Sequence, residues 1–195
     1  AMHKSEELGE AAVILFKEFR SLGIDQFVNC GYVIVDETNK KQHAWMTTTD
    51  GHFLEQIHLP LTGDPVLNER YKSWKKKESL FHQKITGKVY KDHFDFVLTS
   101  PDYGSVAMEE ITRVEMPDPV IFYCGNFSAG YLHLICHTVL NADQESILVR
   151  FTRVFDLTYK RFLDLQKAEE QAREARIEAA LERIRSRTMA MHKSD

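Results

Sequence analysis

Apolar residues in this chain change their spacing several times, and each change marks a new element. From Glu6 to Leu22 they fall at Leu8, Ala12, Leu15, Phe16, Phe19 and Leu22, with Glu7, Lys17, Glu18 and Arg20 between them. This is a helical stripe, and Gly23 ends it. From Gln26 to Asp36 the chain is rich in β-formers (Phe27, Val28, Tyr32, Val33, Ile34, Val35). Turn residues from Asp36 to Lys41 then lead into His43–Thr49, which predicts a hairpin. Asp50 and Gly51 mark a further turn before a third strand within Phe53–Leu59.

Asp64 followed by Pro65 predicts a helix start, since the carboxylate accepts hydrogen bonds from exposed N–H groups and proline fits the first helical position. That helix extends to Lys77. Ser79–Ile85 reads as a short strand, and Thr86 and Gly87 open an amphipathic helix carrying Val89, Tyr90, Phe94, Val97 and Leu98, which Pro101 closes. Asp102–Pro119 is a charged segment bracketed by Pro101, Pro117 and Pro119, with room for a short helix. Val120–Asn126 and Gly130–Thr138 form a second hairpin.

The last element is the longest. Asn141 and Gln144 stand in capping-box spacing, and no breaker follows to the end of the chain. Ile147, Leu148, Phe151, Val154, Phe155, Tyr159, Phe162 and Leu163 give its first part a broad apolar face. Leu165, Ala168, Ala172, Ala175 and Ala179 then step by three and four, the narrow seam of a coiled coil. A second seam of Ile177, Leu181, Ile184 and Met191 does not continue that register, so a local discontinuity is expected near residues 175–181. These helical positions, Leu165, Ala168, Ala172, Ala175, Ala179, Leu181 and Ile184, are the expected dimerisation surface.

Composition narrows the function classes. With 195 residues and 43% hydrophobic content the chain can bury one sizeable core. A formal charge of −4 gives no electrostatic footprint for nucleic acid, because a binder concentrates Lys and Arg on one face. The three cysteines, Cys30, Cys124 and Cys136, sit in apolar strand-like contexts, as buried thiols of a reducing compartment do. No apolar run approaches the ~20 residues that span a bilayer, and the N-terminus lacks a signal-peptide pattern. The expectation is a cytoplasmic module without direct membrane contact. The run Ala1-Met2-His3-Lys4-Ser5 returns as Ala190-Met191-His192-Lys193-Ser194, which reads as a tandem repeat and makes adjacent domains of the same chain expected partners.

Enzyme signatures do not emerge. The sequence has no phosphate-cradling glycine loop, no Gly-x-Ser-x-Gly elbow and no HExxH or paired CxxC pattern. His133, Cys136 and His137 lie in a strand whose alternation separates them, and His52, Glu55 and His58 match no ligand motif, so no metal site is assigned. A small-molecule pocket is the better expectation. Trp45, Tyr71, Trp74, His82, Tyr90, Phe94, Tyr123, Asn126 and His133, with Phe81 beside them, supply aromatic walls and a few polar tips. Aromatic residues at strand and helix spacing are more often core, which is the competing reading for any one of them. Catalysis by His82 or His133 as a base lacks a nucleophile partner in the sequence.

The order helix, hairpin, strand, crossover helices, hairpin, long exit helix resembles a GAF-type sensory domain, a relative of PAS domains, over Ser5–Leu163. The stretch Tyr159, Arg161, Phe162, Leu163, Asp164, Leu165, Gln166, continuing to Glu182-Arg183-Ile184-Arg185-Ser186-Arg187-Thr188-Met189-Ala190-Met191, is similar to the linkers between repeated GAF-like domains in bacterial signalling proteins of the Bacteroidetes type, often sensor histidine kinases of two-component systems. The resemblance implies an α+β fold: a GAF/PAS-like central antiparallel sheet, flanking helices and a long C-terminal coiled-coil helix. It also implies a sensory domain over 1–163 with a signalling linker over 164–195. The implied function is a non-enzymatic sensory module that binds a small ligand or relays a signal as a homodimer, with catalysis elsewhere. The alternative is a structural spacer without a ligand. No bilin-attachment cysteine and no Asn-Lys-Phe-Asp-Glu-type run of the cyclic-nucleotide-binding members is present, so no cofactor is named. His192 lacks the His-Glu-Leu-Arg-x-Pro context of a phosphoacceptor.

Overall fold

The computed structural model describes residues 2–54, 56–100 and 118–191, with side chains between 9 and 189 of these. The chain is α+β. Its elements are α1 (Met2–Ser21), β1 (Phe27–Asp36), β2 (Lys41–Met46), β3 (Ile57–Pro60), α2 (Pro65–Lys75), β4 (Leu80–Ile85), α3 (Gly87–Leu98), β5 (Val120–Phe127), β6 (Gly130–Cys136) and α4 (Ala142–Met191). It divides into two compact units, Ala1–Val154 and Phe155–Asp195. The expected segment between Pro101 and Pro117 lies outside the described residues.

The strands form one six-stranded sheet in the order β3-β2-β1-β6-β5-β4, and every neighbouring pair is antiparallel. Both predicted hairpins are present and lie side by side through β1 and β6. The third strand is shorter than expected. Phe53 makes only an isolated bridge with Thr47, and the ladder starts at Ile57.

Between β3 and β4 the chain passes from one edge of the sheet to the other, carrying α2. The helix start works as the sequence predicts, for the Asp64 side chain accepts from Leu67 N–H at 3.0 Å and Pro65 occupies the first turn. The capping box of α4 also forms. Gln144 N–H donates to Asn141 Oδ1 and Asn141 N–H to Gln144 Oε1, each at 3.0 Å.

Register fixes which side chains share a face, because alternate residues of a strand point to opposite sides. Val33, Ala44, Tyr131, His133, Phe122 and Gln83 lie on one face, and Tyr32, Trp45, Leu134, Tyr123 and His82 on the other. A bulge between Phe27 and Asn29 lets Phe27 join the second face while Asn29 joins the first. On the second face α1 and the start of α4 pack, with Phe16 and Phe19 ring-to-ring on Phe27 (5.3 and 6.4 Å) and Phe19 on Phe151 (5.0 Å). Burying each such ring stabilises the fold by roughly 1.5–3 kcal/mol.

In the second unit, α4 continues as a single helix. It runs unbroken through 175–181, so the expected discontinuity is a change of face rather than a break in the helix. At 3.6 residues per turn the Leu165–Ala179 seam and the Ile177–Leu181–Ile184 seam fall on nearly opposite sides. Leu165, Ile177, Leu181, Ile184 and Met189 are all exposed, the mark of an interaction surface.

Candidate functional site

The first sheet face and the crossover elements enclose a cavity of about 70 Å³. Its floor comes from β1, β2, β5 and β6, and its roof from α2, α3 and Leu54 of the β2–β3 connection. Part of its lining is apolar, from Met46, Leu54, Ile57, Leu59, Phe94 and Val97. The polar part comprises Asn29, Gln42, Arg70, His93, Tyr131 and His133, all nearly or fully removed from solvent.

Arg70 is the centre of the polar lining. Its position on the second turn of α2 aims it at the sheet, where its guanidinium lies 3.8 Å from the Phe122 ring centroid and gains cation–π attraction. Its Nε–H donates to Gln83 Oε1 at 3.2 Å, and Nη2–H to His93 Nε2 at 3.4 Å. A guanidinium can only donate, so His93 Nε2 is the accepting nitrogen and the ring proton sits on Nδ1. That proton is donated to Asp64 Oδ2 at 2.8 Å. The carboxylate that caps α2 therefore also orients the histidine that receives Arg70.

Burial, and then the charge of Arg70, push the His93 pKa down to about 4 against the opposing pull of Asp64. His133 is held well below the ordinary histidine range by burial, with Arg70 and His93 adding to it. Both rings are neutral at neutral pH, which leaves Arg70 as the fixed cation lining the cavity. Burial raises the Tyr131 phenol, and Arg70 opposes this. Its hydroxyl donates to Gln42 Oε1 at 2.5 Å, and Gln42 Nε2 in turn donates to Pro60 O at 3.0 Å.

Two buried polar atoms on this cavity, Asn29 Oδ1 and His133 Nε2, have no partner among the described residues. They lie on adjacent strands, since Gly31 pairs with His133 and Asn29 with Ile135. Gly31 puts no side chain on this face, and a Cβ there would meet Trp45 O at 1.9 Å. An unsatisfied buried polar group costs about 1–3 kcal/mol, and two of them facing one cavity make it the candidate site.

Of the residues expected at a pocket, Phe94 and His133 line the cavity. Tyr90 packs beside Phe94 at 4.7 Å, behind the wall. Tyr71, Trp74 and Asn126 instead fasten α2 to its surroundings. Tyr71 donates to Glu37 at 2.5 Å, Trp74 Nε1–H to Phe127 O at 2.9 Å, and Asn126 Nδ2 to Ser73 Oγ and Glu78 O, both at 2.8 Å. Trp45, His82 and Tyr123 are on the opposite sheet face, where Trp45 stacks on Tyr32 and the Tyr123 hydroxyl accepts from Leu140 N–H at 3.0 Å. Phe81 packs at the edge of the core near Cys124 and Tyr131.

Arg70, His93, Asn29 and Gln42 are the residues that sequence reasoning missed. The available signal was Arg70, the single arginine on a helix whose other cations are the lysines Lys72 and Lys75, together with the polar Asn29 inside an apolar strand. His133 and Cys136 project to opposite sheet faces. His58 meets His43 instead of His52, with their Nδ1 atoms 2.7 Å apart; Glu55 lies outside the described residues. Among the described residues no three metal-binding side chains converge. In comparisons with known proteins, no family model, no curated protein and no solved structure matches this chain.

Proposed function

We propose that this chain is a GAF-like sensory module in which a small ligand, bound between the sheet and its crossover, biases the exit helix of a homodimer. The observation that carries this reading is the cavity with two unpartnered polar atoms beside a buried arginine. The element order and the edge-to-edge crossover support the family resemblance.

Strand β5 offers the physical link between ligand and output. Its Phe122 faces the cavity, while Tyr123 and Gly125 face the start of α4, where Gly125 approaches Thr152. A ligand that shifts β5 changes how α4 is seated, and a shift in the population of two seatings is all that signalling requires. The exposed apolar seams of α4 supply the dimer surface. Catalytic output belongs to other domains of the parent protein.

Native mass spectrometry of protein purified without added ligand tests both halves. A dimer with a defined extra mass is expected, and a bare monomer would sink the proposal. The double substitution Ala172→Glu and Ala175→Glu is expected to leave only monomer, because like charges then face each other along the seam. An unchanged mass would move the interface to the other seam, which Leu181→Glu with Ile184→Glu then tests.

A further inference from the structure

We infer that the cavity ligand is a small monocarboxylate of acetate size, its carboxylate held by Arg70, Asn29 and His133 and its carbon end against Met46, Ile57 and Val97. This rests on the reading of the cavity as a ligand site and adds the chemistry of what enters it.

Size decides first. An engineered apolar cavity of about 150 Å³ takes benzene, so about 70 Å³ has room for roughly three to five heavy atoms. Nucleotides and tetrapyrroles are far too large. Charge decides next. Arg70 is 4% exposed and among the described residues makes no carboxylate contact of its own; Asp64 reaches it only through the His93 ring. A buried guanidinium next to empty space favours an anion. With both histidines neutral, one fixed positive charge matches a monoanion better than phosphate or sulfate.

Hydrogen-bond capacity decides the rest. A carboxylate accepts only, at about four lone-pair positions, and needs several converging donors. His133 Nε2 can carry the ring proton, since it has no other partner among the described residues. The Asn29 side chain fits with either amide orientation, because exchange of its oxygen and NH2 leaves the shape unchanged. The turned amide puts its NH2 at the position that lacks a partner. The apolar lining, in turn, favours an organic acid over nitrate or chloride.

Acetate and acetamide have nearly the same shape and differ in charge, so they isolate the claim. Each is titrated into the full chain at constant ionic strength, with the His133 ring followed by NMR. Acetate is expected to shift the His133 signals saturably, with acetamide weaker by about ten-fold or more, the discrimination expected of a charge-assisted hydrogen bond. Arg70→Met is expected to erase the preference. If that variant does not fold, Asn29→Leu keeps the test alive: it is expected to weaken acetate binding while Arg70 still favours the anion. Equal affinity for acid and amide would overturn the anion assignment and leave the ligand-site reading standing. Acetate binding that leaves His133 unmoved overturns the assignment as well. If neither compound binds and xenon also fails to enter, both readings fall.

Discussion

Asp64 does two jobs with one carboxylate, capping α2 through Leu67 N–H and orienting His93 through Nδ1. Burial of His93 beside Arg70, against the pull of Asp64, ties stability to pH. The folded His93 pKa, about 4, lies below the unfolded value near 6.5, so the unfolded chain binds the extra proton between these values. Stability is therefore complete above about pH 6.5 and falls as pH drops towards 4, by on the order of 3 kcal/mol in total. His133 adds to the fall in the same direction. Chemical denaturation between pH 7 and pH 4.5 is expected to show this loss, and His93→Gln a flatter profile. A profile unchanged by the substitution would place the pH dependence elsewhere. At this scale the sequence was only partly legible. Aromatic residues were visible as candidates, yet strand parity sends Trp45, His82 and Tyr123 to the face that α1 and the start of α4 cover and leaves His133 on the cavity. Asn29 reaches the cavity face by ordinary alternation with Gly31 and Val33, while the bulge turns Phe27 to the other face, so strand parity marked Asn29 once the face of Val33 was known.

Elements were far more legible, because their signals are local. The period of α1, the two hairpins, the Asp64-Pro65 start and the Asn141/Gln144 box all act within a few residues, and each is present. The short β3 escapes because its ends are set by pairing with β2 rather than by its own composition. Pairing also explains Gly125. An ideal Cβ at this position would lie 2.0 Å from Thr152 Oγ1, so the absent side chain lets α4 sit close on β5. Gly125→Ala is expected to destabilise the fold by about 1–3 kcal/mol through this overpacking, read as a lowered denaturation midpoint. Thr152→Ala in the same chain should recover part of the loss, since it removes the atoms in the way. A double-mutant cycle without coupling would show that the helix is not seated on this glycine.

For the whole molecule the proposed dimer predicts a direction in which two copies of α4 run, and cysteine chemistry tests it. The native thiols Cys30, Cys124 and Cys136 are buried and free, and burial pushes each up to about 12, so they stay protonated and inert to a mild oxidant. An introduced cysteine on the exposed helix is the reactive one. A disulfide needs Cα atoms about 5.5–6 Å apart, a separation that same-numbered residues reach along the seam of a parallel, in-register pair. Ala172→Cys is therefore expected to give a covalent dimer, and Arg173→Cys, turned off the seam, little. An antiparallel pair brings equal positions together only at its midpoint, so it would not cross-link a second seam position such as Ala179→Cys as well. Because the Ala seam and the Ile177–Leu181–Ile184 seam face nearly opposite ways on an unbroken helix, one straight pair cannot bury both. Cross-linking through Leu181→Cys in place of Ala172→Cys would assign the dimer to the second seam. Comparable yields from both would mean two pairings in exchange. A shift in their ratio on adding acetate would then connect the cavity to the exit helix, as a relay through β5 requires.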